Sequence, residues 1–247
     1  PEFLLNDNNT HYKVFTPFWK KLQSLVIRTP FSKPKRIDIV KNISSCAEVK
    51  ILPENDWYNK LEDLWKVGEE EALRKLDDFV ENNLINYKEN RNYCALNGTS
   101  LLSPHLAHGE ISPVTIWHKL LNYPRSEGAI CFQSELGWRE FSYYQLHYNP
   151  DLAFVPQNKK FLNYPWKYDK NLFYAWTRGE TGFDLVDAGM RQLWNTGWMH
   201  NRVRMITASF LVKNLLIPWQ EGAKWFMNCL VDADIASNSA SWQWVAG

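Results

Sequence analysis

The stretch from Ile206 to Leu216 (ITASFLVKNLL) is apolar on nearly every side if it is helical. A helix of that kind has to be buried, so the rest of the chain must wrap around it. The segment leading into it, Thr196 to Met205 (TGWMHNRVRM), is different in character. It carries Trp198, His200, Asn201, Arg202, Arg204 and Met205 within two turns. Asn201 and Met205 are four apart and share a face, and His200 and Arg204 share the adjacent one. Gly197 is placed to stop a preceding helix. A buried helix with a cationic, amide-bearing end suits a pocket wall facing a polar, anionic ligand. It equally suits a core helix with one paired arginine, and the pattern alone does not choose between them.

The remaining periodicity is helical as well. Gly68 to Tyr87 reads as an amphipathic helix with acids in its first turn, where the helix dipole favours them, and Leu73, Leu76, Phe79, Val80 and Leu84 on one stripe. Ser112 and Pro113 resemble an N-cap and first helical position. Further helices are expected at Pro17–Leu25, Ile130–Tyr148, Leu172–Trp176, Phe183–Asn195 and Trp219–Val231. No segment alternates long enough to argue for a strand, so the fold class is all-α. Residues 1–60 are rich in Asn, Pro and Lys without sustained period, and read as a linker. Residues 61–247 read as one helical domain, a size that supports a substantial core.

Composition narrows the setting. A net charge of +1 announces no global basic field, although a sorted surface remains compatible with it. Cys46, Cys94, Cys131 and Cys229 form no CxxC pair and no metal spacing, which fits free thiols in a reducing compartment. No signal peptide and no long uninterrupted apolar span is visible, so the expectation is a soluble, cytoplasmic chain without membrane or metal. Thirteen tryptophans point to large flat surfaces that pack or stack.

Several clusters carry chemistry. Asn97 to Ser103 offers hydroxyls and free N–H groups on a turn, which suits phosphate, yet Ser and Thr beside Gly more often only cap helices. Asp232 and Asp234 flank Ala233, and Arg204 is available to pair with Asp232. Glu135, Trp138, Arg139 and Ser142 fall near one helix face, which alone reads as an ordinary ion-paired surface.

Six motifs run in order along the chain: YKVFTPFWK, GTSLLSPHLAHGEISP, ELGWREF, GETGFDLVDAGMRQL, TGWMHNRVRMITASFLVKNLL and DADIASNSASWQW. Together they resemble the FAD-binding core of the photolyase/cryptochrome family, most like a class I cyclobutane pyrimidine dimer photolyase. The resemblance implies a helical FAD-binding domain lacking the N-terminal α/β antenna domain and the C-terminal helices, with an antenna pigment only where that first domain is present. It implies that Thr99, Ser100, Leu101, Leu102 and Ser103 hold the flavin diphosphate, that Tyr87 contacts flavin, and that Arg204, Asp232, Ala233 and Asp234 line the ring. Asn238 falls where the family faces flavin N5 and, as an amide, leans toward repair. Glu135, Asn201, Met205 and Asn238 are implied at the reacting centre. DNA contacts are implied for Arg91, Glu135, Trp138, Arg139, Asn201, Arg202 and Trp244. Ser142 stands where related enzymes often have tyrosine, which puts a contact there in doubt. Trp242, Trp219 and Trp166 match the family's electron relay. The implied activity is light-driven repair of pyrimidine dimers in DNA by a monomer. MHNRVRM lacks the paired histidines of enzymes acting on 6-4 photoproducts. The alternatives are a cryptochrome-like blue-light photoreceptor and a nucleic-acid-binding protein without flavin.

Overall fold

The computed structural model describes residues 3–36 and 56–247, and every regular element among them is helical. Cys46 and the rest of 37–55 lie outside the described residues. The order is α1 (Phe15–Gln23), α2 (Asn59–Glu62), α3 (Glu69–Asn82), α4 (Tyr87–Asn90), α5 (Ser103–Ala107), α6 (Pro113–Leu121), α7 (Glu127–Tyr148), α8 (Lys170–Arg178), α9 (Asp184–Thr196), α10 (Asn201–Ser209), α11 (Trp219–Cys229) and α12 (Ile235–Ala246). No helix among the described residues is long and apolar enough to cross a membrane.

Local chemistry sets the ends. The Ser112 hydroxyl accepts from the Val114 N–H at 3.2 Å, with Pro113 opening α6. Ser126 does the same for Ala129 at 3.1 Å, so α7 starts at Glu127, before the expected Ile130. Asp169 accepts from Asn171 and Leu172 and starts α8 before the expected Leu172, while left-handed Gly179 ends it after Arg178, beyond the expected Trp176. Gly197 ends α9 in the left-handed conformation at φ 67°. Two expectations are corrected. The helix from Gly68 stops at Asn82 and resumes through a 3-10 turn at Leu84–Asn86, and Ala72 rather than the exposed Leu73 fills the buried end of its stripe. The apolar run is not one α-helix: α10 passes into a π-helical turn at Phe210–Asn214, and Ile206 is exposed while Phe210, Leu211, Val212 and Ile217 are buried.

α7 is the shared wall. α1, α4, α6 and α12 all pack on it, and α12 in turn packs on α10 and α11. One core cluster gathers Trp176, Met190, Leu211, Trp219, Phe226 and Trp242; a second gathers Leu76, Phe79, Ile116, Phe132 and Leu136. A smaller one, Phe18, Leu22, Phe141 and Tyr144, seats α1 on α7. The Tyr144 hydroxyl pins the same region, accepting from the Tyr12 N–H at 2.9 Å and donating to the Leu4 carbonyl at 2.6 Å.

The approach of α11 to α12 depends on Gly222. A Cβ there would lie 2.2 Å from the Trp242 ring and 2.5 Å from a Leu211 methyl, both in the core. Overpacking of this kind costs about 1–3 kcal/mol, so Gly222→Ala is expected to lower the melting temperature by roughly 2–12 °C. Thermal unfolding followed by circular dichroism measures this; an unchanged midpoint would show that the α11–α12 contact relaxes freely.

Candidate functional site

The first turn of α10 is built on His200. Its Nδ1 accepts from the Arg202 N–H at 3.2 Å, which makes the ring the N-cap and leaves the proton on Nε2. Cys94 Sγ lies 3.5 Å from the same Nδ1. Burial, and then the positive charge of Arg202, hold His200 below the usual histidine pKa. Beyond it, Arg204 donates Nε to the Met199 carbonyl at 2.7 Å and Nη2 to Asp232 Oδ2 at 2.8 Å. Asp232 Oδ1 is buried and receives no hydrogen bond. A buried carboxylate oxygen without a donor is costly, and it fits a ligand that presents an N–H or O–H.

Asp234, two residues on, is placed differently. Its Oδ1 caps α12 by accepting from the Ser237 N–H at 2.7 Å, and its Oδ2 accepts from the Tyr143 hydroxyl of α7. Burial, then that hydrogen bond, pushes the Tyr143 pKa up to about 12. Half-buried Ala233 joins the two acids. Asn238, one turn into α12, donates its amide to the Ala223 carbonyl at 3.1 Å, which fixes the side chain's direction.

A second cluster lies where α4, α7 and α10 meet. Arg91 pairs with Glu135 at 2.7 Å, approaches Cys131 Sγ at 3.4 Å, and lies 5.5 Å from the Tyr87 ring centroid. Burial raises the Glu135 carboxyl above its ordinary pKa against the pull of Arg91, although 31% of its side chain stays exposed. The Arg91 pKa is raised as well: burial opposes its charge, but Glu135 and Tyr87 outweigh it. Tyr87 itself is buried in the core, and burial and then Glu135 raise its phenol pKa. Arg202 donates twice to the Asn92 side-chain oxygen, at 3.1 and 2.6 Å. Met205 Sδ lies 3.6 Å from Arg202 Nη1 and 3.8 Å from the Asn201 amide nitrogen.

Further along α7, Trp138 is 46% exposed and stacks on Phe15 of α1, with centroids 3.7 Å apart. Arg139 bonds Glu140 at 3.1 Å and lies 4.7 Å from the Tyr143 ring centroid. Ser142 does not join this exposed face. It is buried, and its hydroxyl donates to the Trp138 carbonyl on its own helix.

In the 97–103 loop, Gly98 is buried against the Asn90 backbone. The Leu102 N–H donates to Ser100 Oγ at 3.4 Å. Leu101 is held at φ 51°, an unfavourable conformation for a leucine, so the loop's shape is imposed. Thr99 is half-buried, and Ser103 opens α5 exposed. Trp219 and Trp242 are buried in the α8–α12 core, and half-buried Trp166 packs against that same cluster. Trp244 is 68% exposed on α12. Sequence reasoning missed Phe15, Asn92 and Tyr143; each acts on a residue distant in the chain, and no spacing signals such a partner.

Residues 132–247 match the model of the FAD binding domain of DNA photolyase. A deoxyribodipyrimidine photo-lyase of Agrobacterium fabrum is 48% identical over 100% of this chain, which spans 53% of that relative. A bacterial class III photolyase from Agrobacterium tumefaciens superposes with a TM-score of 0.93 at 47% identity, over 99% of this chain and 52% of that one. A Synechocystis cryptochrome superposes with a TM-score of 0.83 at 34% identity, over 95% of this chain and 51% of that one. The chain therefore spans about half the length of the proteins it matches. The class I expectation and this class III match differ in subclass within one family.

The His200 cap generates a test. A group whose folded pKa lies below its unfolded value contributes stability in full above the unfolded pKa, near 6.5, and loses it as pH falls through the folded pKa. His200→Asn keeps a capping oxygen but does not titrate. Urea unfolding at pH 7.5 and 5.5 is expected to show a smaller loss of stability in the variant, the difference reaching at most about 1.4 kcal/mol per pH unit. Equal losses in both proteins would show that His200 is not protonated on unfolding.

Proposed function

The chain belongs to the DNA photolyase family, whose FAD-binding domain it carries, and on that premise we propose that it binds FAD and forms the catalytic part of an enzyme that repairs cyclobutane pyrimidine dimers in DNA under light. The observation that supports this reading most directly is the buried, unpartnered Asp232 Oδ1 beside Arg204. The residues present fit a flavin: Asp232 accepts a ring N–H, Arg204 holds that carboxylate in place, Asn238 supplies an uncharged amide, and the hydroxyls of Thr99, Ser100 and Ser103 take the diphosphate. A reduced FAD held by these residues would supply light-driven electron donation to the dimer.

The residues of this chain prepare that event. Trp138 and Trp244 stack on a flipped-out lesion, whose extrusion requires aromatic walls and polar groups for the base edges, a requirement for which photolyases are a standing example. Glu135, whose carboxyl pKa burial raises, stabilises the dimer by a hydrogen bond or a proton where negative charge develops. Asn201, Arg202 and Met205 line the same cavity from α10. Arg91 and Arg139 reach phosphates. Trp242, Trp219 and Trp166 carry charge between the core and the surface.

The direct test is illumination of the purified chain, loaded with FAD and reductant, on dimer-containing DNA; restored bases are expected. FAD binding with no repair would favour the photoreceptor reading, which the likeness to a cryptochrome supports. Absence of FAD binding would overturn both readings.

Two substitutions separate the assigned roles. Trp138→Ala is expected to weaken binding to dimer-containing DNA by about 1–3 kcal/mol while sparing undamaged DNA. Arg91→Ala is expected to weaken both alike and to flatten the salt dependence. Equal losses on both DNAs for the tryptophan variant would remove it from lesion recognition. In Trp219→Phe the core is nearly refilled and an indole N–H without an acceptor is removed, so stability is expected to fall only modestly. Photoreduction of bound oxidised flavin is expected to slow sharply, with repair by chemically pre-reduced enzyme close to normal. Unimpaired photoreduction would take Trp219 out of the relay.

A further inference from the structure

The two acids of the DAD sequence differ in what they are free to do. Asp232 gives one oxygen to Arg204 and keeps the other buried and open. Asp234 has no ion pair among the described residues, and both its oxygens are engaged: Oδ1 with the Ser237 N–H at 2.7 Å, Oδ2 with the Tyr143 hydroxyl. The phenol comes from α7, and its ring lies under the Arg139 guanidinium at 4.7 Å. A line of groups therefore runs from a cation on the face of α7 through a phenol to the carboxylate that caps α12. That helix carries Asn238, Trp242 and Trp244.

We propose that Tyr143 is a positioning residue of the cofactor pocket: by donating its hydroxyl to Asp234 it holds that carboxylate as the cap of α12 and leaves Asp232 as the acceptor for the ligand. The inference rests on the flavin reading above. Its physical basis is that an anion without a cation partner is tolerated only while hydrogen-bonded. Without the phenol, Asp234 keeps its Ser237 bond but loses a donor that stabilises its negative charge. The ligand it then faces carries phosphates of its own. That charge opposes both binding and electron uptake by the ligand.

The experiment uses the full chain with FAD and three variants: Tyr143→Phe, Asp234→Asn and the double substitution. FAD affinity is read by fluorescence titration, the midpoint potential of the bound flavin by spectroelectrochemistry, and folding by thermal melting. Tyr143→Phe is expected to weaken FAD binding about three- to tenfold, the loss of one charge-assisted hydrogen bond, and to move the potential to more negative values. Adding Asp234→Asn removes the charge and keeps a capping oxygen, so the double variant is expected to move the potential back from the value of Tyr143→Phe in the positive direction. A purely structural tyrosine would lower the melting temperature in both variants and leave the potential alone, and that result overturns the proposal. So does failure of the double variant to recover, which would assign the effect to lost packing. Failure of the unmodified chain to bind FAD would overturn the flavin reading and this inference with it; binding with an unshifted potential in Tyr143→Phe overturns the inference alone.

Discussion

The arrangement of the site depends on the ion pair between Arg204 and Asp232. Arg204 sits on α10, reaches back to the Met199 carbonyl, and crosses to the segment between α11 and α12. It thereby ties three stretches of chain at one guanidinium. The Asp232 side chain is only 4% exposed, so either charge alone would be expensive, and breaking such a pair costs about 3–5 kcal/mol. Buried pairs are weak evidence for net stability, and their clearer consequence is geometric. With Arg204 occupying Oδ2, only Oδ1 is left to face a ligand, and the backbone that follows delivers Asp234 to the head of α12.

Where the chain announces itself locally, the sequence is legible. Ser112 followed by Pro113, and Gly197 after a periodic run, carry a cap within a few residues, and the structure places helix ends at both. Ser126 and Asp169 cap just as directly, yet the residues after them, Glu127-Gly128 and Lys170-Asn171, open no apolar pattern, so those starts are hidden. The π-helical turn at Phe210–Asn214 is invisible for another reason. A run that is apolar on all sides has no face to register a change of pitch.

The site was legible in its motif residues and illegible in their partners. Arg204 with Asp232 was open to inference because two chemically complementary motifs invited it. Phe15 beneath Trp138, Asn92 on Arg202 and Tyr143 on Asp234 are contacts between distant segments that no local pattern encodes. Ser142 shows the limit of face arithmetic. Its spacing from Glu135 puts it on the exposed face, but a short hydroxyl bonds most easily to its own helix, and it is buried there.

On the proposed reading, a chain of net +1 meets nucleic acid through locally placed arginines. Arg91, Arg139 and Arg202 are each held by a neighbour: Glu135, Glu140 and the Asn92 amide. Each guanidinium is thus oriented in advance, at the expense of part of its long-range field. Two of the three partners are acids, so a phosphate arriving at Arg91 or Arg139 has to compete with a carboxylate. Such a surface attracts any polyanion weakly from a distance and rewards a ligand that also fills the space beside the arginines. The exposed indoles of Trp138 and Trp244 stand on the two helices, α7 and α12, that pack against each other. Discrimination on the proposed reading therefore lies with the aromatic walls, and the arginines set register.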